Sequence, residues 1–397
     1  MNFHFAAQLA NLKPSAIREI LKSAGDPNLI SLAAGNPAPE AFPSEILGKI
    51  AAEVFASDPT SVLQYSVTEG YAPLRKKISD LLRCRWQIQS RAEEVLVTSG
   101  AQQAIELTAR ALCNPGDVIL CEDPSFIGSL NAFRSHGVRL IGVPMEEDGI
   151  SLAALEEILK REKSVKLFYT IPNFQNPTGR TTSLAKRKRL LELAMAYDFI
   201  ILEDDPYGEL RFAGEKLPPI KSFDPSGYVV YCGSFSKTVA PGLRLGFAVA
   251  HKELLARMTV AKQGEDVHTA LLCQMMLDRF LQQVDYDAHI HRLQEIYRSK
   301  ADVMLSGIRK EFSSRIRYTV PEGGLFIWAT LPDEVDMPAF CKKAAENLVA
   351  VVPGNAFCVE EKGLSHAFRM NFSTPTDDQI EKAVQILGRL TKEVCGA

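Results

Sequence analysis

Short apolar runs alternating with helix-period segments organise the middle of this chain. Val95-Leu96-Val97-Thr98 and the runs at 118–121, 138–143, 167–171, 199–203, 228–232 and 245–250 are apolar on successive residues, not only on alternate ones. Runs this short read as strands buried on both faces. Helical spacing opens after Ser99-Gly100, ends near Cys113, and resumes from Leu152 and from Ser183. Strands alternating with helices predict an α/β fold, a mostly parallel sheet covered by helices on both faces. Upstream, an arm leads to a short helix at 16–23, a small-residue turn at 31–37, and helices at 44–56 and 73–83. Downstream of Lys252 the pattern changes. A long helical stretch at 286–312 precedes short strands at 316–320, 325–330 and 368–372 and a terminal helix from Asp377. Gly323-Gly324 and Pro353-Gly354 mark the turns of what reads as a second, smaller α+β domain. The expected division is 30–285 for the large domain and 286–397 for the small one. Arg187, Lys188 and Arg189 read as a solvated helix face.

Composition removes several function classes. The 397 residues are 46% hydrophobic and 23% charged, an ordinary soluble balance with room for two or more domains. A formal net charge of -3 offers no basic field for nucleic acid or an anionic membrane. No apolar run approaches the roughly 20 residues of a membrane span. The first twelve residues lack the basic start and apolar core of a signal peptide. The 8 cysteines are scattered without a Cys-x-x-Cys pair, which argues against zinc or a disulfide framework and predicts a cytoplasmic chain. His289 and His291 would point apart on a helix, so no metal site is expected.

The chemistry concentrates between two apolar runs, at Gly233-Ser234-Phe235-Ser236-Lys237-Thr238-Val239-Ala240-Pro241-Gly242-Leu243-Arg244. A lysine held beside Arg244 and partly desolvated has a lowered pKa, as an amine nucleophile requires. Ser99-Gly100-Ala101-Gln102 opens a helix after a strand, where free N–H groups favour an anion. Asp204 lies at the end of the 199–203 run, on the side where ligands bind in open α/β sheets. Arg369 sits in an apolar strand and needs an anionic partner.

Asn176-Pro177-Thr178-Gly179, Glu203-Asp204-Asp205-Pro206-Tyr207, Ser234-x-Ser236-Lys237 with Arg244, and Arg369 follow one another in that order. As an ordered set they resemble the fold-type I, pyridoxal-phosphate-dependent aminotransferases of class I/II, and within them the 2-aminoadipate and kynurenine branch. The resemblance runs from about Ile17 to the C-terminus. It implies a transaminase that moves the amino group of an L-amino acid (2-aminoadipate, glutamate, aromatic or branched-chain) to a 2-oxo acid such as 2-oxoglutarate. It implies pyridoxal 5'-phosphate, with Lys237 as covalent anchor and proton shuttle and Asp204 on the ring nitrogen. Tyr207 and Asn176 would reach the ring hydroxyl and Phe126 would stack on the ring, while Asp205 stays structural. Gly100, Ala101, Gln102, Ser234, Ser236 and Arg244 would cup the phosphate, and Tyr65 would reach it from the neighbouring subunit of a homodimer. Arg369 would bind the α-carboxylate, with Asn176 beside it and Gly35 allowing close approach. Ser15 and Arg18 match a helix that lines the substrate pocket, where the arginine pairs with a distal carboxylate. Residues 1–29 would pack with the small domain. The same lysine and electron sink also suit a β-lyase or a decarboxylase. A ligand-sensing regulator domain is a remoter reading, since the match begins too early to leave room for a winged helix and the chain is not basic.

Overall fold

The computed structural model describes residues 3–6 and 28–396. In chain order the strands are β1 (Ile30–Ser31), β2 (Val95–Thr98), β3 (Val118–Asp123), β4 (Arg139–Glu146), β5 (Gly149–Ile150), β6 (Val165–Thr170), β7 (Ile200–Asp205), β8 (Val229–Ser234), β9 (Gly246–Val249), β10 (Arg317–Tyr318), β11 (Phe326–Thr330), β12 (Val349–Ala350), β13 (Val352–Pro353) and β14 (Ala367–Asn371). Eight of them form one sheet in the order β2-β9-β8-β7-β6-β3-β4-β5. Its central pairs are parallel. β9 runs antiparallel between β2 and β8, and β5 runs antiparallel at the β4 edge.

The apolar runs explain the layering. Side chains alternate across a strand, so a run apolar at every position feeds two cores. Ile119 and Cys121 of β3 join one core, with Leu202, Val230 and the helix Ala101–Leu112. Val118 and Leu120 join another, with Ile201, Val229 and the helices Leu152–Arg161 and Leu184–Tyr197. A third core sets Val95, Val97, Phe247 and Val249 against the helices Ser44–Ser57, Ala72–Trp86 and Leu271–Gln283. The shared direction of the central strands gathers Asp123, Thr170, Asp204 and Ser234 at one edge, where doubly covered sheets bind ligands.

The second sheet is antiparallel, ordered β10-β11-β14-β13. Its register sets Arg369 opposite Trp328 on one side and Val352 on the other. β1 pairs in parallel with β12, Ile30 opposite Val349. The helix Tyr286–Glu311 carries Ile290, Leu293, Tyr297, Ala301, Met304 and Ile308 at intervals of three or four. That stripe packs on Ile380, Val384 and Leu387 of the helix Asp377–Cys395.

Several expectations change. The helices Ile127–Ser135, Lys252–Gln263, Leu271–Gln283 and Met337–Glu346 were not foreseen. The strand expected at 316–320 narrows to Arg317–Tyr318, with Val320 exposed ahead of Pro321. The helix expected at 16–23 lies outside the described residues, as do Ser15 and Arg18. The basic cluster at 187–189 is not one solvated face. Lys188 and Arg189 are exposed, but Arg187 is fully buried. Consecutive helical residues sit roughly 100° apart, so three charges in a row cannot share a face. The Arg187 guanidinium donates to the carbonyls of Thr182 (2.9 Å), Pro172 (3.0 Å) and Pro218 (3.0 Å) and to Asn173 Oδ1 (2.7 Å).

Replacing Arg187 with methionine keeps the volume and strands those acceptors without donors. The expected loss is about 3 kcal/mol or more, read as a lower urea midpoint. A loss under about 1 kcal/mol would mean that the acceptors find water instead.

Candidate active site

Lys237 is set by its neighbours in sequence. Phe235 and Val239, two residues to either side, are buried in the core beneath the sheet edge. Backbone bonds from Val239 N and Ala240 N to Phe235 O (2.9 and 3.1 Å) close the turn between them. The lysine is thereby turned toward the segment that follows β1, and its Nζ donates to Gly35 O at 2.7 Å. Burial, then Arg369 and Arg244, lower its pKa to about 8. The amine is therefore largely neutral only a little above physiological pH, the state a nucleophile or general base needs.

Asp204 and Asp205 are neighbours on β7, so their side chains take opposite faces. Asp205 is fully engaged, accepting from Asn173 Nδ2 (2.9 Å), Tyr231 Oη (3.0 Å) and Gly208 N (3.0 Å). It is a structural residue, as expected. Asp204 accepts from Tyr169 Oη at 2.8 Å through Oδ2, while its buried Oδ1 has no partner among the described residues. Burial raises its pKa, the Tyr169 hydroxyl lowers it in part and Asp205 adds to the rise, leaving it at about 7. An unpaired acceptor on a buried acid fits a cationic N–H donor, such as a protonated pyridine nitrogen.

Arg369 is 1% exposed on β14. Its Nη1 donates to Asn176 Oδ1 (2.7 Å) and its Nη2 to Ala33 O (2.6 Å), while Nε has no partner. The guanidinium lies 4.3 Å from the Phe326 ring centroid and 4.9 Å from that of Phe357. Among the described residues no carboxylate pairs with it. Burial lowers its pKa to about 10, which leaves it cationic at neutral pH. Tyr207 is buried and lies edge-on to Phe326, ring centroids 5.8 Å apart.

A cradle for an anion forms where β2, β8 and β9 meet. Gly100, at φ +83°, precedes the helix Ala101–Leu112, whose first N–H groups are those of Ala101 and Gln102. A Cβ on Gly100 would sit 2.2 Å from Arg244 Nη2, so only glycine lets the guanidinium lie over the turn. Arg244 Nη2 donates to Ser99 O at 3.2 Å, and the side chain has no ion pair among the described residues. Ser234 Oγ accepts from Ser236 N at 3.1 Å on the same loop. Backbone N–H groups at a helix start, two hydroxyls and an unpaired arginine fit a phosphate.

The remaining expected residues fall at varied distances from these groups. Gly35 meets Lys237 directly, and a Cβ there would sit 3.0 Å from Phe326 Cζ. The Phe126 ring folds over Gly128, where a Cβ would lie 2.6 Å away, and Gln102 Nε2 donates to Gly128 O at 3.1 Å. Tyr65 is 80% exposed and packs edge-on to His268. His289 and His291 form no metal cluster among the described residues, and His289 Nε2 bonds Thr238 O at 2.6 Å. Sequence reasoning missed Tyr169, the hydroxyl on Asp204, because a tyrosine inside the 167–171 run reads as core. It also missed Glu122 and Gln175, which lie beneath the Asn176 turn. A glutamate closing an apolar run, directly before Asp123-Pro124, was the available signal for the first.

Lys237 yields a pH dependence with a definite sign. Its pKa is about 8 in the folded chain against an ordinary 10.5, so the folded state holds fewer protons than the unfolded state between those values. Stability of the cofactor-free protein therefore rises with pH across that window and loses this contribution as pH falls to 8. Lys237→Met is expected to be more stable than the cofactor-free wild type at pH 7, with the gap closing as the window is crossed. Parallel urea midpoints across the pH range would show instead that the lysine is not desolvated.

Comparison with known proteins agrees with this geometry. A family model described as aminotransferase class I and II matches residues 27–387. Aromatic-amino-acid aminotransferase 1 from Thermococcus litoralis is 40% identical over 394 residues, covering 98% of this chain and 94% of that protein. The 2-aminoadipate transaminase from Thermus thermophilus is 41% identical over 391 residues, covering 98% and 96%. The crystal structure of an alpha-aminoadipate aminotransferase from Thermus thermophilus, complexed with N-(5'-phosphopyridoxyl)-L-leucine, superposes with a TM-score of 0.91. It is 40% identical and covers 99% of this chain and 98% of that one. The chain belongs to the class I and II aminotransferases, and it is a pyridoxal-phosphate-dependent enzyme that transfers amino groups.

Proposed function

We propose that this aminotransferase takes the amino group of an L-amino acid whose α-carboxylate binds Arg369, and passes it to a 2-oxo acid such as 2-oxoglutarate. The donors are drawn from 2-aminoadipate, glutamate, aromatic and branched-chain amino acids; the relatives' names support 2-aminoadipate and the aromatic amino acids. The observation that carries the reading is the buried Arg369 guanidinium, which among the described residues meets only neutral acceptors and ring faces. A carboxylate is the anion that a planar guanidinium binds most specifically among small metabolites bearing an amine.

Bound pyridoxal phosphate supplies an electron sink for the pair left behind when a substrate carbon loses its proton. The chain's own residues do the rest. Lys237 holds the cofactor covalently, and as a free amine it moves a proton between the substrate α-carbon and the cofactor carbon. Asp204 Oδ1 keeps the ring nitrogen protonated. Tyr207 and Asn176 donate to the ring hydroxyl, Phe126 stacks on the ring, and Gly35 lets the substrate approach the backbone closely. Gly100, Ala101, Gln102, Ser234, Ser236 and Arg244 hold the phosphate. Tyr65, exposed in the single chain, reaches the phosphate of a partner subunit in a cytoplasmic homodimer. A β-lyase or a decarboxylase would use the same lysine and sink, and the relatives named above favour transamination.

Arg369→Met is expected to lower kcat/KM for amino acids by at least about 100-fold, the loss of a bidentate charged contact. Turnover of a primary amine without a carboxylate should change little, and equal losses on both would remove the assignment. Arg18, for which the family resemblance implies a distal-carboxylate partner, gives a second test. Arg18→Ala should cut kcat/KM for 2-aminoadipate and glutamate about ten- to a hundredfold while leucine barely changes. A uniform fall across substrates would leave the dicarboxylate preference without support.

A further inference from the structure

We propose that Glu122 is a positioning residue for transamination: buried behind the Asn176 turn, it sets the orientation of Asn176 and, through it, of Arg369. The proposal rests on the reading of Arg369 as the carboxylate site. Glu122 lies near the end of β3, is fully buried, and takes no part in the chemical steps above. One of its oxygens accepts from Thr170 Oγ1, the other from Ile171 N (3.1 Å) and Gln175 Nε2 (3.1 Å). The Gln175 amide is also fully used. Its Nε2 donates to Pro124 O (2.7 Å), and its Oε1 accepts from Thr178 N (3.0 Å) and Thr178 Oγ1 (2.7 Å). Glu122 therefore grips the residue before Asn176, and Gln175 in turn grips the residue two after it. Asn176 Oδ1 then meets Arg369 Nη1 at 2.7 Å.

The backbone of this turn explains why it needs such a grip. Phe174 is bulky and fully buried, yet it sits at φ +50°. Its ring is admitted because Gly323 and Gly324 have no Cβ, which would lie 2.3 and 2.5 Å from Phe174 atoms. The turn ends at Gly179, at φ +70°, where a Cβ would lie 2.7 Å from Phe326 O. Conformations of this kind persist only where the surroundings over-determine them. Glu122 faces donors at every contact, so an amide there must direct its own N–H groups at one of them. Burial raises the Glu122 pKa and those donors offset part of the rise, leaving it at about 7.

The test is Glu122→Gln in the holoenzyme. Cofactor content and thermal midpoint should hold and kcat should stay within about threefold, while KM for the amino acid rises roughly tenfold. The dissociation constant of adipate, a dicarboxylate without an amine, should rise by the same factor. If Glu122→Gln does not fold, Gln175→Met serves in its place. It cuts the link to the turn, leaves Glu122 on Thr170 and Ile171, and carries the same expectation. An unchanged KM in a folded variant overturns the proposal. So does a KM increase that comes with equal cofactor loss, because that is general loosening. Arg369→Met, measured alongside, separates the two levels: an unchanged adipate affinity there removes the reading of Arg369 itself.

Discussion

Buried positive charge without a carboxylate is the constraint around which this site is built. Arg369 and Lys237 lie under one segment after β1 and meet its carbonyls, Arg369 at Ala33 and Lys237 at Gly35. Carbonyl dipoles and aromatic faces reduce the cost of burying a cation but do not neutralise it. What remains favours an incoming anion and keeps the lysine pKa low. The segment is itself fixed from behind by the helix Tyr286–Glu311. Arg292 donates to the carbonyls of Glu40 and Ala41, the Tyr297 hydroxyl accepts from Ala38 N, and Lys300 pairs with Glu40. The long helix thus holds the acceptors that hold the cations.

The two sheets contribute different parts. The large sheet supplies Lys237, Asp204 and the anion cradle from the ends of β2, β7 and β8. The smaller sheet supplies Arg369 from β14 and Phe326 from β11. The distance between Asp204 and Arg369 is therefore set by how closely the sheets approach. They approach where the 175–179 turn meets β11 and where Phe326 meets Gly35. The first contact needs a glycine, at Gly179, where a Cβ would lie 2.7 Å from Phe326 O; at Gly35 a Cβ would be tight, 3.0 Å from Phe326 Cζ.

The sequence made the large sheet legible because its strands are apolar on both faces and end in turn residues. The ordered motifs pointed to Lys237, Asp204, Asn176 and Arg369, and the structure brings these into one region. The helices at 252–263 and 271–283 were not legible. Leu271 to Gln283 is apolar at successive positions and does not declare a period, and 252–263 buries little beyond Leu255 and Met258. The burial of Arg187 was hidden for a related reason. Which of three adjacent charges points inward depends on where the carbonyls of Pro172 and Pro218 lie, and local pattern carries no information about that. The groups behind the site, Tyr169 on Asp204 and Glu122 on Gln175, depend on strand neighbours far apart in sequence.

The acids at this edge show how one strand divides its labour. Glu203, Asp204 and Asp205 are consecutive and buried, and burial raises the pKa of each. Alternation sends Glu203 and Asp205 to the face where Arg187 lowers the cost of their charge. There Glu203 accepts the N–H groups of Ile220 and Lys221, and Asp205 accepts Asn173, Tyr231 and Gly208. Both are spent on holding loops. Asp204 faces the other way, gains only the Tyr169 hydroxyl, and keeps an open oxygen. A second donor from the protein would have stabilised the Asp204 carboxylate and filled its open oxygen, and the charge available to a ligand is the charge left unpaired. The same logic separates the buried arginines: Arg187 has its acceptors and builds the fold, and Arg369 keeps an open nitrogen and faces the site.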